Sequence, residues 1–236
     1  MHEPNSPAVG AGLPPLTLDL LEARALGCLI EKEATTPDVY PLSLNALVNA
    51  CNQKNNRFPV MEVGEREAEG AVDRLREKRL VTAFSGANAR AIKYKHRFAD
   101  RFPVEPLAQA LVAELLLRGP QTTAGLRGNC ERLVAVPDLA GCEALLTALT
   151  DGAEPLVRKL PRQPGQKEAR WAQLLTGEPT VEDWASPADP TREPLKVSVA
   201  MSLPPEVEAR LTALETEVAT LKAELARLRA SLGETS

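Results

Sequence analysis

Histidine is nearly missing from this chain: its 236 residues contain two, His2 and His96. Cysteine is scarce and scattered, since Cys28, Cys51, Cys130 and Cys142 form no C-x-x-C pair. A zinc site needs several His or Cys ligands at close spacing, and a Ser/His/Asp or Cys/His set needs a histidine beside its nucleophile. With His2 in the leading segment and His96 in a basic stretch, neither can be assembled. No P-loop, G-x-G-x-x-G or H-E-x-x-H occurs. The sequence therefore predicts a non-enzymatic protein with no metal and no cofactor. Aromatic residues make up 3 % of the chain, too few to line a ligand pocket well, which argues against a small-molecule sensor. No apolar run approaches the roughly 20 residues of a membrane helix, so no membrane association is expected. The opening "MHEPNSPAVGAGLPP" lacks the basic and apolar regions of a secretory signal and reads as a disordered tail over residues 1–15. A cytoplasmic protein is expected, its isolated cysteines being small core residues in a reducing compartment.

Positive charge is not in excess either: the net charge is −4, which excludes a uniformly basic nucleic-acid binder. The imbalance is local. Residues 176–236 hold 11 acidic and 6 basic residues, against 21 and 22 in the rest of the chain. The Pro- and acid-rich stretch "GEPTVEDWASPADPTREP" reads as part of a linker over residues 176–203. Beyond it, residues 204–233 predict a coiled-coil helix. Val207, Leu211, Leu214, Val218, Leu221, Leu225, Leu228 and Leu232 recur at alternating spacings of four and three, the heptad pattern of a helix seam. With Leu211 at position a, the g and following e positions pair Arg210 with Glu215, Glu217 with Lys222 and Glu224 with Arg229, all attractive in a parallel homodimer. Folding back onto the preceding domains is the alternative.

Upstream of the linker the chain repeats itself. "LDLLEARALGCLIEKE" carries an apolar helical face of Leu18, Leu21, Ala25, Cys28 and Leu29. "SLNALVNAC" follows, with Ser43 as N-cap, then a third helix over about 65–79 and two short strands within "LVTAFSGANARAIKYKHRF". The same order returns as "PLAQALVAELLLRG", "TTAGLRGNC", "DLAGCEALLTALTDG" and "PLVRKLPRQPGQKEARWAQLL". Three helices and a hairpin, twice, predict two tandem winged helix-turn-helix domains over residues 16–102 and 103–175. The expected class is mainly α with small β-hairpins (α+β).

The stretches "LGCLIEKEATTPDVYPLSLNALVNACNQKNNR…PVME" and "PLVRKLPRQPGQKEAR" resemble the signature regions of the YceH family of bacterial proteins. The resemblance covers about Leu16 to Leu175. It implies tandem winged-helix domains and no known activity, so function has to come from the residues.

A DNA-reading winged helix inserts its third helix in the major groove. Here Glu62 to Lys78 holds six acids and four bases, and Asp138 to Glu154 holds four acids with no Lys or Arg, so neither helix suits a groove lined by phosphates. The hairpins are the opposite. Arg90, Lys93, Lys95, Arg97 and Arg101 face Asp100 alone, and Arg158, Lys159, Arg162, Lys167 and Arg170 face Glu168 alone, for a net +4 each. Three uses compete for these cations: guarding strand edges against aggregation, contacting nucleic-acid phosphates, or contacting an acidic protein surface. A second candidate lies between Ser43 and Arg57, which contain five of the eight asparagines. On a helix Asn45, Asn49, Asn52 and Asn56 form one stripe, about 110–120° from the centre of the apolar stripe. Such a row either anchors neighbouring loop backbone or, as Asn49, Asn52, Gln53, Lys54, Asn56 and Arg57, forms a polar interaction site. The leading functional expectation is a dimeric, nucleic-acid-associated regulator with DNA as its partner. The alternative is a protein–protein scaffold that uses the acidic third helices and the Asn-rich flank, without DNA.

Overall fold

The computed structural model describes residues 16–85, 91–152, 154–162 and 166–179, and beyond these residues 210, 213, 217, 218, 220 and 222. The chain divides into two units, Met1–Val197 and Ser198–Ser236. The first is α+β, with seven helices and small antiparallel sheets among its described residues.

Helix α1 (Leu20–Thr35) starts at a capping box. Asp19 accepts from the Glu22 amide at 2.7 Å and Glu22 accepts from the Asp19 amide at 2.7 Å, so two otherwise unpaired donors are satisfied reciprocally. Strand β1 (Leu42–Ser43) runs directly into α2 (Leu44–Cys51), whose N-cap Ser43 accepts from the Ala46 amide. Helix α3 (Glu65–Glu77) buries Ala68, Ala71, Val72 and Leu75 and ends with Arg79 at φ 60°. Strands β2 (Val81–Phe84) and β3 (Lys93–His96) form an antiparallel hairpin, with β1 on the other side of β3. The short helix α4 (Phe98–Arg101) closes this first repeat.

The second repeat reuses the plan: α5 (Pro106–Arg118), α6 (Thr123–Cys130), α7 (Leu139–Ala148), β4 (Val157–Lys159) and β5 (Trp171–Gln173). The correspondence reaches single bonds. Thr122 caps α6 as Ser43 caps α2. Gln121 bridges Trp171 just where Leu42 pairs with Tyr94. The Leu80 amide donates to Leu75 and the Leu156 amide to Leu149. Val81 pairs with His96 and Val157 with Gln173, which puts the two hairpins in the same register.

Helices α1 and α5 pack against each other at the centre, and each is buried nearly all round, as expected for a helix with neighbours on every side. Their close approach depends on Gly27, where an added Cβ would lie 3.0 Å from Leu117 Cγ. Ionic groups are buried here too. Glu31 of α1 accepts two bonds from Arg57 and pairs with Arg132 at 2.7 Å. Arg132 also reaches Glu114 of α5, which pairs with Arg118 at 3.3 Å. A chain of guanidinium–carboxylate contacts thus ties the two repeats together.

All four cysteines are buried and unpaired. In the second unit the described residues Arg210, Ala213, Glu217, Val218, Thr220 and Lys222 are helical, and Val218 is 47 % exposed. The other heptad positions lie outside the described residues, as do the tail 1–15 and the linker from residue 180 to 203. No helix among the described residues is long and apolar enough to cross a membrane.

Candidate functional site

The β2–β3 hairpin separates its residues by the two-residue period of a strand. Tyr94 and His96 face the core, whereas Lys93 and Lys95 face solvent. Opposite partners share a face, so Phe84 lies beside Lys93, and Thr82 beside Lys95. Lys95 pairs with Glu33 at 3.4 Å and Arg97 with Asp100 at 2.6 Å. Lys93 has no carboxylate partner among the described residues, and Arg90 lies outside them.

On the second hairpin Arg158 pairs with Glu178, and Lys159 pairs with Glu143 while sitting 5.3 Å from the centre of the Trp171 ring. Burial alone would raise the Glu143 carboxyl, but hydrogen bonds from Lys159 and then from the Thr123 hydroxyl outweigh it and hold Glu143 below the ordinary range. Arg162 and Lys167 are exposed and Arg170 half-buried, none with a carboxylate partner among the described residues. Apart from the half-buried Arg170 and Arg101, the latter paired with Glu154, the described basic residues of each hairpin lie on its exposed surface. Each hairpin mixes cations that have a carboxylate partner with cations that have none among the described residues.

The neighbouring helices keep the charge expected of them. In α3, Arg74 and Lys78 turn inward to Asp19 and Glu22. That leaves Glu65, Glu69, Asp73 and Glu77 exposed beside Arg66 and Arg76, of which Arg76 is already paired with Asp73. Helix α7 exposes Leu139, Ala140, Ala144, Thr147 and Ala148, without a charge among them.

The asparagine-rich segment departs from the single helix expected of it. Helix α2 stops at Cys51, Asn52 is its C-cap, and Asn56 lies beyond it in the left-handed region at φ 60°. Asn45 and Asn49 are exposed and bond each other at 3.0 Å. Asn52 donates to the Val63 carbonyl at 2.9 Å and accepts from the Val63 amide at 2.7 Å, which closes the loop between α2 and α3. Arg24 supports the same loop by donating to the Cys51 and Pro59 carbonyls. Arg57 is buried: it donates to the Ala50 carbonyl, to Gln53 and to Glu31. Burial alone would raise the Glu31 carboxyl, but Arg57 and Arg132 outweigh it and hold Glu31 below the ordinary range. Lys54 is exposed, and Asn56 accepts from Arg118. The six polar residues thus split between surface (Asn49, Lys54, Asn56) and interior (Asn52, Gln53 in part, Arg57).

One cleft of about 420 Å³ opens beside the first hairpin, between Glu33, Thr82, Lys95, His96, Arg97, the start of α4 and Gln109 of α5. Glu33 meets His96 Nε2 at 2.7 Å, and His96 Nδ1 accepts from the Phe98 amide at 3.3 Å. Accepting at Nδ1 places the proton of the neutral ring on Nε2. Burial lowers the His96 pKa, and Glu33 only partly offsets it. Both ring nitrogens are occupied by protein groups.

The charge pattern of the sequence located the two hairpins. It missed Phe84 and Ile92, which are 61 % and 53 % exposed at the first of them. The available signal was the alternation within "VTAF" and "IKYKH", which places Phe84 on the lysine face once the register is known. It also missed the Glu31–Arg132–Glu114 link, which joins residues distant in sequence.

A family model described as "Protein of unknown function, DUF480" matches residues 18–166. A UPF0502 protein of Aeromonas hydrophila is 46 % identical over 225 residues, covering 93 % of this chain and 98 % of its own. One from Geotalea uraniireducens is 45 % identical over 208 residues, with coverages of 88 % and 91 %. One from Pelobacter propionicus is 53 % identical over 163 residues, with coverages of 69 % and 74 %.

Proposed function

This chain belongs to the DUF480 family of proteins of unknown function, and from that premise we propose that it is a non-enzymatic, tandem winged-helix protein that contacts nucleic-acid phosphates through its two basic wings. The wings are β2–β3 and β4–β5. The observation that carries the reading is the placement of their cations: Lys93, Lys95, Arg158, Lys159, Arg162 and Lys167 all lie on the exposed surface. Their ion pairs are no obstacle. Lys95, Arg158 and Lys159 are each about half exposed in their pairs, and exposed pairs contribute roughly 0–1 kcal/mol, so a phosphate can replace the carboxylate. Binding of this kind reads backbone and not bases. The acidic face of α3 and the uncharged face of α7 agree with it, since neither offers cations to a major groove. The engagement of both His96 ring nitrogens supports the non-enzymatic part. Dimerisation through Val207, Leu211, Leu214, Val218, Leu221, Leu225, Leu228 and Leu232 would bring four wings to one strand and raise avidity.

Anisotropy of a labelled random duplex, titrated at about 50 and 200 mM salt, tests the proposal. Phosphate-driven affinity falls by about an order of magnitude or more over that range, depending on the number of contacts. The triple variants Arg90/Lys93/Lys95→Ala and Arg158/Lys159/Arg162→Ala should each weaken binding and flatten its salt dependence. No binding at low salt sinks the reading. A scaffold role would then be the one favoured by the exposed carboxylates Glu65, Glu69, Asp73 and Glu77 of α3.

A further inference from the structure

The two hairpins share a register but treat one position in opposite ways. Counting from the paired residues Val81 and Val157, Phe84 corresponds to Leu160. Both stand at the outer end of their ladder, Phe84 opposite Lys93 and Leu160 bonded through its amide to Arg170. Leu160 is 4 % exposed, as an apolar residue at a sheet position normally is, whereas Phe84 is 61 % exposed. Ile92, next to Lys93, is 53 % exposed. The first hairpin therefore exposes an aromatic ring beside an ammonium that has no carboxylate partner among the described residues, with an exposed aliphatic side chain at the next position in sequence. Edge protection explains the lysines but not the ring, because an exposed Phe on a strand invites the aggregation that the lysines discourage.

We infer that Phe84 is a stacking platform for an unpaired nucleobase, with Lys93 and Lys95 holding the adjoining phosphates, so that the ligand of the first hairpin is single-stranded nucleic acid. This rests on the phosphate-binding reading above and narrows it. Every base has a π-face, so stacking on Phe tolerates any sequence, in keeping with cations that read only backbone. A paired base is already stacked on its neighbours and offers its face only at an end, a gap or a loop. Duplex recognition would call on the helix beside the hairpin, and the exposed face of α3 carries Glu65, Glu69, Asp73 and Glu77. A single strand needs no groove and can follow the hairpin without approaching those carboxylates. Charge and shape complementarity thus favour the strand over the duplex, and an acidic protein surface would leave the ring without a π-faced partner.

The test uses the full chain with an oligothymidine strand carrying one 2-aminopurine, alongside a duplex of equal length, at low salt. The expected result is tighter binding of the strand than of the duplex, quenching of 2-aminopurine on saturation, and loss of both quenching and about tenfold in strand affinity in Phe84→Ala. Phe84→Tyr should retain the quenching, which separates stacking from general loss of surface area. Phe84 is exposed, so thermal unfolding of the variants should match the parent. Wild-type strand affinity and quenching in Phe84→Ala would overturn this inference while leaving the phosphate-binding reading intact. A duplex preference that survives Phe84→Ala would do the same. Failure of the parent to bind either nucleic acid would overturn both.

Discussion

The two repeats are built on one plan and finished differently. What they share makes the backbone: the hydroxyl caps Ser43 and Thr122, the core-facing aromatics Tyr94 and Trp171, and the paired leucines Leu75/Leu80 and Leu149/Leu156. What differs is the use of polar groups. In the first repeat Asn52, Arg24 and Arg57 hold the α2–α3 loop from inside, and His96 sits against Glu33. In the second the corresponding connection is held by turn bonds from Leu133 and Val134 to the Cys130 carbonyl, by Arg127 donating to the Pro137 carbonyl and by the ion pairs of Arg132, and Gln173 stands where His96 does. The lesson is that the shared positions specify the fold, and the unshared ones give each repeat its own interior charge and its own surface.

The largest expected effect tests the interior charge. Truncating Arg57 to Ala leaves Glu31 buried without the one cationic partner that is itself fully buried, and removing one member of a buried pair costs on the order of 3–5 kcal/mol. Truncating Arg158 in the second repeat removes an exposed pair with Glu178 and should cost less than about 1 kcal/mol. Urea denaturation of both variants measures the contrast. Equal losses would mean that the first repeat does not depend on its ionic interior, and the comparison would fail.

That interior was only partly legible in the sequence. Element order, the cap Ser43 and the α+β class follow from spacing alone, because apolar periodicity and cap residues act over a few positions. Arg57 was not distinguishable from a surface residue, since Lys54, Asn55 and Asn56 precede it and its partner Glu31 is 26 positions away. The asparagine stripe misled about length: three helical spacings exist in the sequence, but Asn52 prefers to cap and to bond Val63, and Asn tolerates the left-handed turn at Asn56. Phe84 escaped for another reason. A strand alternates whatever its register, and only the pairing with Lys93 decides which side is outward.

A smaller effect follows from His96 and its lack of a counterpart. Burial keeps the folded ring from binding a proton as readily as the unfolded one does. The unfolded chain therefore takes up the proton first as pH falls, and stability declines from about pH 6.5 downward, the ordinary histidine value. Protonation would also place a hydrogen on Nδ1, against the Phe98 amide. His96→Gln should flatten this part of the stability–pH curve. The measurement is the denaturation midpoint at several pH values between about 5 and 8, for parent and variant. A parent whose stability is unchanged over that range would show that His96 is not the acid-sensitive point of the first repeat.

The smallest effect concerns how the third helices end. In the first repeat the Arg79 amide donates to Arg76 and the Leu80 amide to Leu75, a tight helix stop that needs Arg79 at φ 60°. In the second the chain takes a longer path from α7 to Leu156, and the positive φ falls on Gly152. A non-glycine residue in the left-handed region costs about 1 kcal/mol, which glycine avoids. Glycine also gains freedom in the unfolded chain, which offsets part of that relief. Arg79 is exposed and makes no ion pair among the described residues, so nothing else is lost with its side chain. Arg79→Gly should accordingly be neutral to stabilising by up to about 1 kcal/mol, read as a small rise in denaturation midpoint. Destabilisation would mean that the Arg79 side chain supports the helix end, and that the two repeats differ there in more than loop length.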